Sequence, residues 1–378
     1  MDEPPREVLP DKRAPRFDTP DWWIYRGTGR PLPDIDPGDL LPPPPPWRNF
    51  RGGPLPERDV PPEDDGELAR RLGSNFRLLE RDVDPNEVDM VNAALYLRRP
   101  LIVTGSPGIG KSSLVFRISR ELRLGRVLRW PINSHTTLKS GLYGYDAIGR
   151  AVAAGTRQTM AKLGRELRSE DSATVADSVN QEPSVGDFVR LGPLGTAFLP
   201  SKLPRVLLID ELDKSEADLP NDLLSIFEDG DFTIPELERI RNSSPTVSVF
   251  TDDPEVTATI VGGRVRCHAF PVIVITSNRE RDFPAAFLRR CLRLEMQDPN
   301  PDQLVAIVAA HLVDQNGGEL RDQLIQRFVE RRKASGGLPA DKLLDAVYLA
   351  TSGAYREDDL SWLRLVDALW RQLTSLVG

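Results

Sequence analysis

The stretch "LIVTGSPGIGKSSLVFRIS", residues 101–119, decides the fold of this chain. Gly105, Gly110, Lys111 and Ser112 fit the spacing G-x-x-x-x-G-K-[ST]. The apolar residues before the glycines predict a buried strand, and the residues after the lysine predict a helix. Glycines let backbone N–H groups converge on an anion, and the helix N-terminus adds the positive end of its dipole. The stretch therefore predicts a phosphate-binding loop between a strand and a helix.

This loop predicts a site for ATP and Mg²⁺. Lys111 is expected to bind the β and γ phosphates, and the Ser112 hydroxyl is expected to take a Mg²⁺ coordination position. An ordinary glycine-rich turn is the alternative, but the strand before the loop and the helix after it favour the nucleotide site. The residues expected to bind the nucleotide are Gly105, Ser106, Pro107, Gly108, Ile109, Gly110, Lys111, Ser112 and Ser113.

Two carboxylates end a second apolar run, "VLLIDELDK" at residues 206–214. Asp210 and Glu211 at the end of a buried strand are costly unless a cation and a water lie beside them. Asp210 is expected to hold Mg²⁺ through water, and Glu211 is expected to polarise the attacking water. Paired acids can instead cap the next helix, but the upstream phosphate loop favours the catalytic interpretation.

A third apolar run, "PVIVITSN", ends at Asn278. A side-chain amide at the end of this strand can orient the attacking water or contact the γ-phosphate. Asparagine is also common where a strand passes into a turn. Its position after a buried strand, like that of Asp210, favours a functional role.

Composition restricts the class of protein. The chain has 378 residues, a hydrophobic content of 39% and a formal net charge of −8, which is typical of a globular protein with two or three compact units. The net negative charge disfavours a protein that coats nucleic acid, although a local basic channel stays possible.

Cys267 and Cys291 have no metal-ligand spacing and indicate a reducing compartment. With no secretory signal at the start and no apolar run long enough to span a bilayer, the expected location is cytoplasmic.

The first 65 residues contain 17 of the 34 prolines, including the run Pro42 to Pro46. Such a segment is predicted to be an extended arm, because proline lacks the N–H that helices and sheets require. The arm also carries "DWWIY" at 21–25 and Trp47, and tryptophans are rarely left uncovered. The protein's own body, a neighbouring subunit or a partner could cover them; a flexible linker is the alternative. We expect deletion of residues 1–64 to leave a folded core, because the predicted core elements lie beyond them.

Strands that alternate with helices, followed by an all-helical tail, predict an α/β domain with a small helical lid. The predicted boundaries are an arm over 1–65, the α/β domain over 66–298 and the lid over 299–378. Insertions are predicted at about 137–185, with a polar mobile loop over 169–185, and at about 238–270. The second insertion contains the hairpin "TATIVGGRVRC", whose strands join at a Gly-Gly turn.

The order of these motifs resembles the AAA+ ATPases: the phosphate loop, "LLIDELDK", "VITSN" and a helix that ends in "FLRRC". The resemblance covers about residues 66–378. The segment 192–237, the insertion after the second strand and the hairpin are similar to the MoxR group. This resemblance implies an α/β core with a parallel sheet, a ring that is commonly hexameric, and ATP-driven remodelling or chaperone-like work. It also implies a partner with a von Willebrand factor A domain, in some relatives within bacterial conflict systems.

The resemblance assigns roles to three further basic residues. Arg290 matches the arginine finger that enters the neighbouring subunit's site. Arg289 is expected to make a supporting contact beside it. The family more often has an aromatic residue where Cys291 stands, and a surface salt bridge is the alternative role for the arginines. Lys342, in "ADK", stands where the family has a lid arginine over the γ-phosphate; lysine provides a point charge without arginine's bidentate geometry.

Two other classes of function stay open. A nucleic-acid motor could use Arg264 and Arg266 on the hairpin in a central pore, although the acidic balance counts against it. A nucleotide-gated oligomeric scaffold with slow turnover is the other class. The scaffold is disfavoured because Glu211, Asn278 and Arg290, the residues expected to support hydrolysis, are present. Lys342 in place of the lid arginine is compatible with slow hydrolysis.

Overall fold

The computed structural model describes residues 20–32, 36–55, 65–74, 83–166, 183–312, 318–335, 339–351 and 360–370. Their helices are α1 (Pro37–Leu40), α2 (Asp65–Leu72), α3 (Pro85–Leu97), α4 (Lys111–Glu121), α5 (Leu138–Leu142), α6 (Ala147–Glu166), α7 (Pro193–Ala197), α8 (Leu219–Asp229), α9 (Pro235–Glu238), α10 (Ala285–Arg290), α11 (Pro301–His311), α12 (Gly318–Ser335), α13 (Ala340–Thr351) and α14 (Leu360–Leu369). Their strands are β1 (Leu101–Thr104), β2 (Leu128–Pro131), β3 (Tyr143–Tyr145), β4 (Val189–Leu191), β5 (Val206–Asp210), β6 (Asp231–Thr233), β7 (Thr246–Phe250), β8 (Thr257–Val261), β9 (Arg264–Arg266), β10 (Val272–Ser277) and β11 (Leu292–Glu295).

A five-stranded parallel sheet forms the centre of the protein, in the order β11-β1-β10-β5-β2. Successive residues of a strand point to opposite faces, and in β1 both faces are buried: Leu101 and Val103 pack in one apolar cluster, Ile102 in another. The predicted α/β fold with a parallel core sheet is therefore confirmed. The edge strand β11 was missed in the sequence, because its alternating "LRLE" is short and half exposed.

A second sheet of six strands, in the order β3-β4-β7-β8-β9-β6, packs beside the first. The predicted hairpin is present as β8 and β9, joined at Gly262 and Gly263. Both glycines have positive φ angles, 60° and 75°, which the tight turn requires. The remaining strands were not predicted, because several have only three residues and pair far along the chain. Of the loop predicted over 169–185, residues 169–182 lie outside the described residues.

A buried ion cluster joins the two sheets. Arg205, at the start of β5, donates to both carboxylate oxygens of Asp253 at 2.6 and 2.9 Å, and Asp253 follows β7 of the second sheet. Arg126 contacts the same carboxylate at 3.0 Å and Asp252 at 3.1 Å. Burial disfavours the Asp253 carboxylate, yet hydrogen bonds from Arg205 and Arg126 outweigh burial and hold its pKa below its usual range. This ion cluster therefore links the two sheets. Removing one of its charges would leave its partner as an unpaired buried charge.

The described C-terminal residues are helical, as predicted. Helices α11 to α14 share an apolar cluster around Phe328, Leu343 and Trp370, with the two aromatic rings edge to face at 5.5 Å. Across the described segments, none of the helices combines the length and apolar composition that a membrane span requires.

The first part of the arm is built into the protein's core. Tyr25 is fully buried among residues of α3 and α4. Asn92 of α3 accepts hydrogen bonds from the backbone N–H groups of Ile24 and Tyr25, at 2.8 and 3.0 Å. Its amide donates in return to the carbonyls of Tyr25 and Val88, at 2.7 and 2.9 Å. One buried side chain thus satisfies the backbone of the arm on both sides of Tyr25.

A buried carboxylate provides a second anchor. Glu121, the last residue of α4, accepts hydrogen bonds from the backbone N–H groups of Arg26 and Gly29 and from the hydroxyl of Thr28. Burial raises the pKa of Glu121, and these donors offset part of that shift. The arm therefore supplies three of the hydrogen-bond donors that satisfy this buried carboxylate.

The second part of the arm crosses to the other end of the core. Arg98 donates to the carbonyl of Pro42 at 2.6 Å, Arg48 donates to the carbonyl of Phe227, and the Gly52 N–H donates to the carbonyl of Cys267 at 2.9 Å. The protein's own body therefore holds this part of the arm in place, although Trp47 within it stays exposed. The described part of the arm is therefore packed on the body and is no flexible linker, while the folding of the chain without residues 1–64 stays a prediction.

Substituting Asn92 by alanine is expected to detach the arm. The change removes four hydrogen bonds and leaves buried backbone groups of the arm unsatisfied, so we expect the free energy of unfolding to fall by about 3 kcal/mol. Urea unfolding measures the loss, and limited proteolysis within residues 20–55 reports the release of the arm. The matched control is Asn86→Ala, an exposed asparagine on the same helix. Equal losses for the two variants would contradict the anchoring role.

Candidate functional site

The predicted phosphate loop lies at the carboxyl end of the central sheet, between β1 and α4. Gly108, at the tip of the loop, has a φ of 72° and lies against the start of α13. A Cβ at this position would lie 2.5 Å from Cβ of Pro339, so both the backbone conformation and the close approach require glycine. The Ala340 N–H donates to the Gly108 carbonyl at 3.3 Å. The loop is thus in direct contact with the helical C-terminal part.

Lys111 is buried at the base of the loop and spans it. Its ammonium donates to the carbonyls of Gly105 and Ser106, at 2.9 and 3.0 Å, and to the side-chain oxygen of Asn278 at 2.6 Å. Burial lowers the pKa of Lys111, while nearby carboxylates, with Asp213 the strongest, offset part of that shift. The structure therefore brings the predicted lysine and asparagine together.

The two residues predicted to hold the metal also meet. The Ser112 hydroxyl donates to Oδ1 of Asp210 at 2.9 Å, and the Thr276 hydroxyl donates to the same oxygen at 2.7 Å. No cluster of three or more His, Cys, Asp or Glu side chains forms a metal site within the described residues. Mg²⁺ fits such a place, because it needs only one or two protein oxygens beside phosphate oxygens and waters.

Glu211 follows Asp210 with a positive φ of 62°, a conformation that turns its side chain out of the line of β5. Its Oε1 accepts from the Asn278 amide at 3.2 Å, and its Oε2 lies 2.7 Å from the ammonium of Lys214. The Thr276 hydroxyl oxygen accepts the Glu211 N–H at 2.8 Å. Lys111, Asn278 and Glu211 therefore form one continuous hydrogen-bonded chain.

Three residues that position this chain were missed in the sequence. Thr276 joins Asp210 to the backbone of Glu211. Asp213 is buried, and its Oδ2 accepts the N–H groups of Asn278 and Glu280 at 2.9 and 3.0 Å, which fixes the loop after β10. Lys214 pairs with Glu211. The hydroxyl of Thr276 inside the apolar run "VIVITS" and the third acid in "DELDK" were the available indications.

Lys342 lies in the first turn of α13, the helix that contacts the phosphate loop. Its ammonium is 3.9 Å from a carboxylate oxygen of Asp345, on the same helix, and its side chain is 41% exposed. The helix is therefore placed beside the loop as predicted, while the ammonium is paired within its own helix.

The two predicted finger arginines end α10, at the surface. Arg290 donates to the carboxylate of Glu228, near the end of α8, and to the Ala286 carbonyl at 3.1 Å. The hydrogen bond that Arg290 donates to Glu228 raises the pKa of Arg290. Arg289 is exposed. The observed contacts of Arg290 join it to α8, so the finger role needs a second copy of the chain to provide the phosphate.

The hairpin arginines are paired with one carboxylate. Arg264 lies 2.6 Å from Oδ2 of Asp231, and Arg266 lies 2.7 Å from the same oxygen. Asp231 is on β6, which pairs with β9 in the second sheet. Part of the positive charge that a nucleic-acid motor would use is therefore neutralised within the sheet.

Comparisons with known proteins place the chain in a family. Two similar solved structures are a RuvB variant from Thermotoga maritima (11% identity, TM-score 0.37, 80% of this chain and 73% of that chain) and the AAA domain of FIGL-1 in complex with ADP (12% identity, TM-score 0.30, 73% of each chain). No curated protein sequence matches the chain. Because both TM-scores are low, membership rests on the family model "AAA domain (dynein-related subfamily)", which matches residues 100–328. This chain therefore belongs to the AAA domain family, in its dynein-related subfamily.

Proposed function

We propose that this protein is a Mg²⁺-dependent AAA+ ATPase that hydrolyses ATP at the subunit interfaces of a homo-oligomeric ring of six copies. The observation that carries the proposal is the hydrogen-bonded chain from Lys111 through Asn278 to Glu211, beside the Ser112–Asp210 contact. These residues come from the carboxyl ends of β1, β5 and β10, three neighbouring strands. Such an arrangement suits phosphoryl transfer, in which the protein chiefly positions groups and stabilises charge.

The phosphates of ATP would bind along the loop, where the Lys111 ammonium can exchange the carbonyls of Gly105 and Ser106 for β and γ oxygens. Ser112 would coordinate Mg²⁺ directly, and Asp210 would do so through water. Bound there, the ion would neutralise charge on the phosphates. Thr276 holds the Asp210 carboxylate in place.

Glu211 is the group that would take the proton of the attacking water, with Asn278 orienting that water. Both oxygens of its carboxylate are engaged, one by Asn278 and the other by Lys214. Each oxygen keeps a second lone pair, so a water can bind there without displacing either donor. The contact with Lys214, which is exposed, is the one that solvent reaches.

Arg290 would act in trans. Its place at the surface, away from its own phosphate loop, supports a role in which it leaves Glu228 and contacts the γ-phosphate of a neighbouring copy, with Arg289 beside it. Lys342 would approach the same phosphate from the lid once it releases Asp345. Charge from both sides would then surround the transferring group.

The work of the cycle would be remodelling of a protein client in the cytoplasm. The similarity to the MoxR group, with its von Willebrand factor A domain partners, supports this role. The second sheet, joined to β5 through Arg205 and Asp253, would follow movements at the nucleotide site. The nucleic-acid motor is disfavoured, because Asp231 pairs with both Arg264 and Arg266 and the net charge is −8.

Lys111→Ala is expected to abolish ATP binding, because the phosphates lose the cation that spans the loop. Isothermal titration calorimetry with Mg²⁺-ATP measures the binding. The matched control is Lys139→Ala, a lysine whose side chain is 63% exposed on α5 and which should leave the affinity unchanged. An unchanged dissociation constant for Lys111→Ala would remove the basis of the proposed function.

Glu211→Gln is expected to bind ATP but hydrolyse it at least about a hundredfold more slowly, because an amide keeps the shape and cannot accept the proton. A phosphate-release assay measures turnover, and Glu216→Gln, an exposed neighbour, is the control. Turnover near the parent rate would make Glu211 a structural acid. The same variant, held in ATP, would retain the client for identification.

Arg290→Ala is expected to bind ATP normally and to lose roughly a thousandfold in turnover. The decisive measurement mixes it with Lys111→Ala subunits, which lack ATP but still offer a finger. If Arg290 acts in trans, some sites in mixed rings are complete and activity partly returns.

Mass measurement of mixed rings first establishes that subunits exchange. Arg331→Ala, which breaks another exposed ion pair, with Asp367, is the control and should keep full turnover. If subunits exchange and no activity returns, Arg290 serves its own subunit or only the salt bridge with Glu228.

A further inference from the structure

One tryptophan of the arm is left uncovered by the protein's own body. Trp47 is 73% exposed, in a turn of 3-10 helix at Pro46–Arg48. The backbone is extended at both ends of the proline run before it: Leu41 has φ −84° and ψ 130°, and Pro45 has φ −53° and ψ 147°. This conformation repeats every three residues, which places the exposed Pro43 and Pro46 on one side. Pro43, Pro46 and Trp47 together form an exposed ridge, called here the proline ridge.

The proline ridge is held at both ends by buried arginines. Arg98 donates to the carbonyl of Pro42 at 2.6 Å, and Arg48 donates to the carbonyl of Phe227. Both arginine residues are buried, with 8% of Arg48 and 9% of Arg98 exposed. An apolar ridge fixed in this way loses little conformational entropy when a second surface covers it.

The same contacts connect the ridge to the proposed arginine finger. Arg48 is held at the end of α8, where the next residue after Phe227 is Glu228, the partner of Arg290. The charges of Glu228 and Arg290 both act on Arg48. Trp47, the neighbour of Arg48 in the chain, therefore lies on the part of the surface from which Arg290 must reach another subunit.

We propose that the proline ridge packs against a second copy of this chain, at the interface where Arg290 enters the neighbour's nucleotide site. This inference rests on the proposed function, because it requires a finger that acts in trans. A neighbour close enough to receive Arg290 must approach the end of α8, and Arg48 fixes the ridge at that end. Tryptophan and arginine are the residues most enriched at the energetic centre of interfaces. At this interface the arm would provide an apolar contact, and Arg290 of α10 would provide a positive charge.

The test measures assembly of the full chain in the Glu211→Gln background with Mg²⁺-ATP, by sedimentation velocity over a range of concentrations. Adding Trp47→Ala is expected to raise the protomer concentration for half-assembly about thirtyfold, as loss of an interface hot spot does. The matched control is Trp22→Ala on the same arm. Trp22 is 41% exposed and packs edge to face on Tyr96 of α3, so assembly should be unchanged.

Fluorescence supplies a second readout. The Trp47 contribution, defined by the difference from Trp47→Phe, should shift to shorter wavelength when the parent assembles. Trp47→Ala could assemble like the parent while the Arg290 mixing test restores activity. That result would support the ring with a finger in trans and would show that the proline ridge does not lie at its interface. The ridge would then face another partner, such as a domain with an aromatic groove for extended prolines. A parent that stays monomeric with Mg²⁺-ATP would overturn both the ring and this interface.

Discussion

The hydrogen bonds around the Lys111 ammonium are the interaction on which the rest of the site depends. A buried cation must be surrounded by oxygen atoms. Here the phosphate loop provides two carbonyls, and Asn278, directly after β10, provides its side-chain oxygen. Asn278 in turn contacts Glu211, and Asp213 fixes the backbone of Asn278. Loop, acid and amide come from three separate strands, so the parallel register of the central sheet determines their spacing. The geometry of the site therefore depends on the alignment of the strands at this edge of the sheet, and no single motif determines it.

The sequence was sufficient for the parts of this protein whose chemistry is local. Lys111 and Ser112 follow from spacing alone, and Asp210 follows from the cost of an acid at a buried strand end. The structure brings these residues together with Glu211 and Asn278. Thr276 and Asp213 act only through partners some 65 residues away in the chain, so no local pattern identifies them. The short strands of the second sheet share this property, because their pairing and not their composition makes them strands.

The contacts of the arm also could not be predicted from local sequence patterns. Its prolines correctly predict an extended segment, but nothing local indicates that Asn92 and Glu121 are buried to receive its backbone. Extended segments have N–H and carbonyl groups without internal partners, and a polar side chain inside the core is the way to satisfy them. The arm therefore belongs to the folded body through side chains on α3 and α4 that look, in sequence, like ordinary helix residues.

The distances along the chain between the arm and its contacts have a consequence for the order of folding. Tyr25 meets Asn92 across 67 residues, Arg48 meets Phe227 across 179, and Gly52 meets His268 across 216. The arm precedes all of these partners in the chain, so its contact with His268 can form only after residue 268 has been synthesised. Contacts of such high sequence separation form late and slowly. Until these partners have been made, the apolar side chains of the arm that the folded protein buries, such as Tyr25, have no core to pack against and stay exposed to solvent.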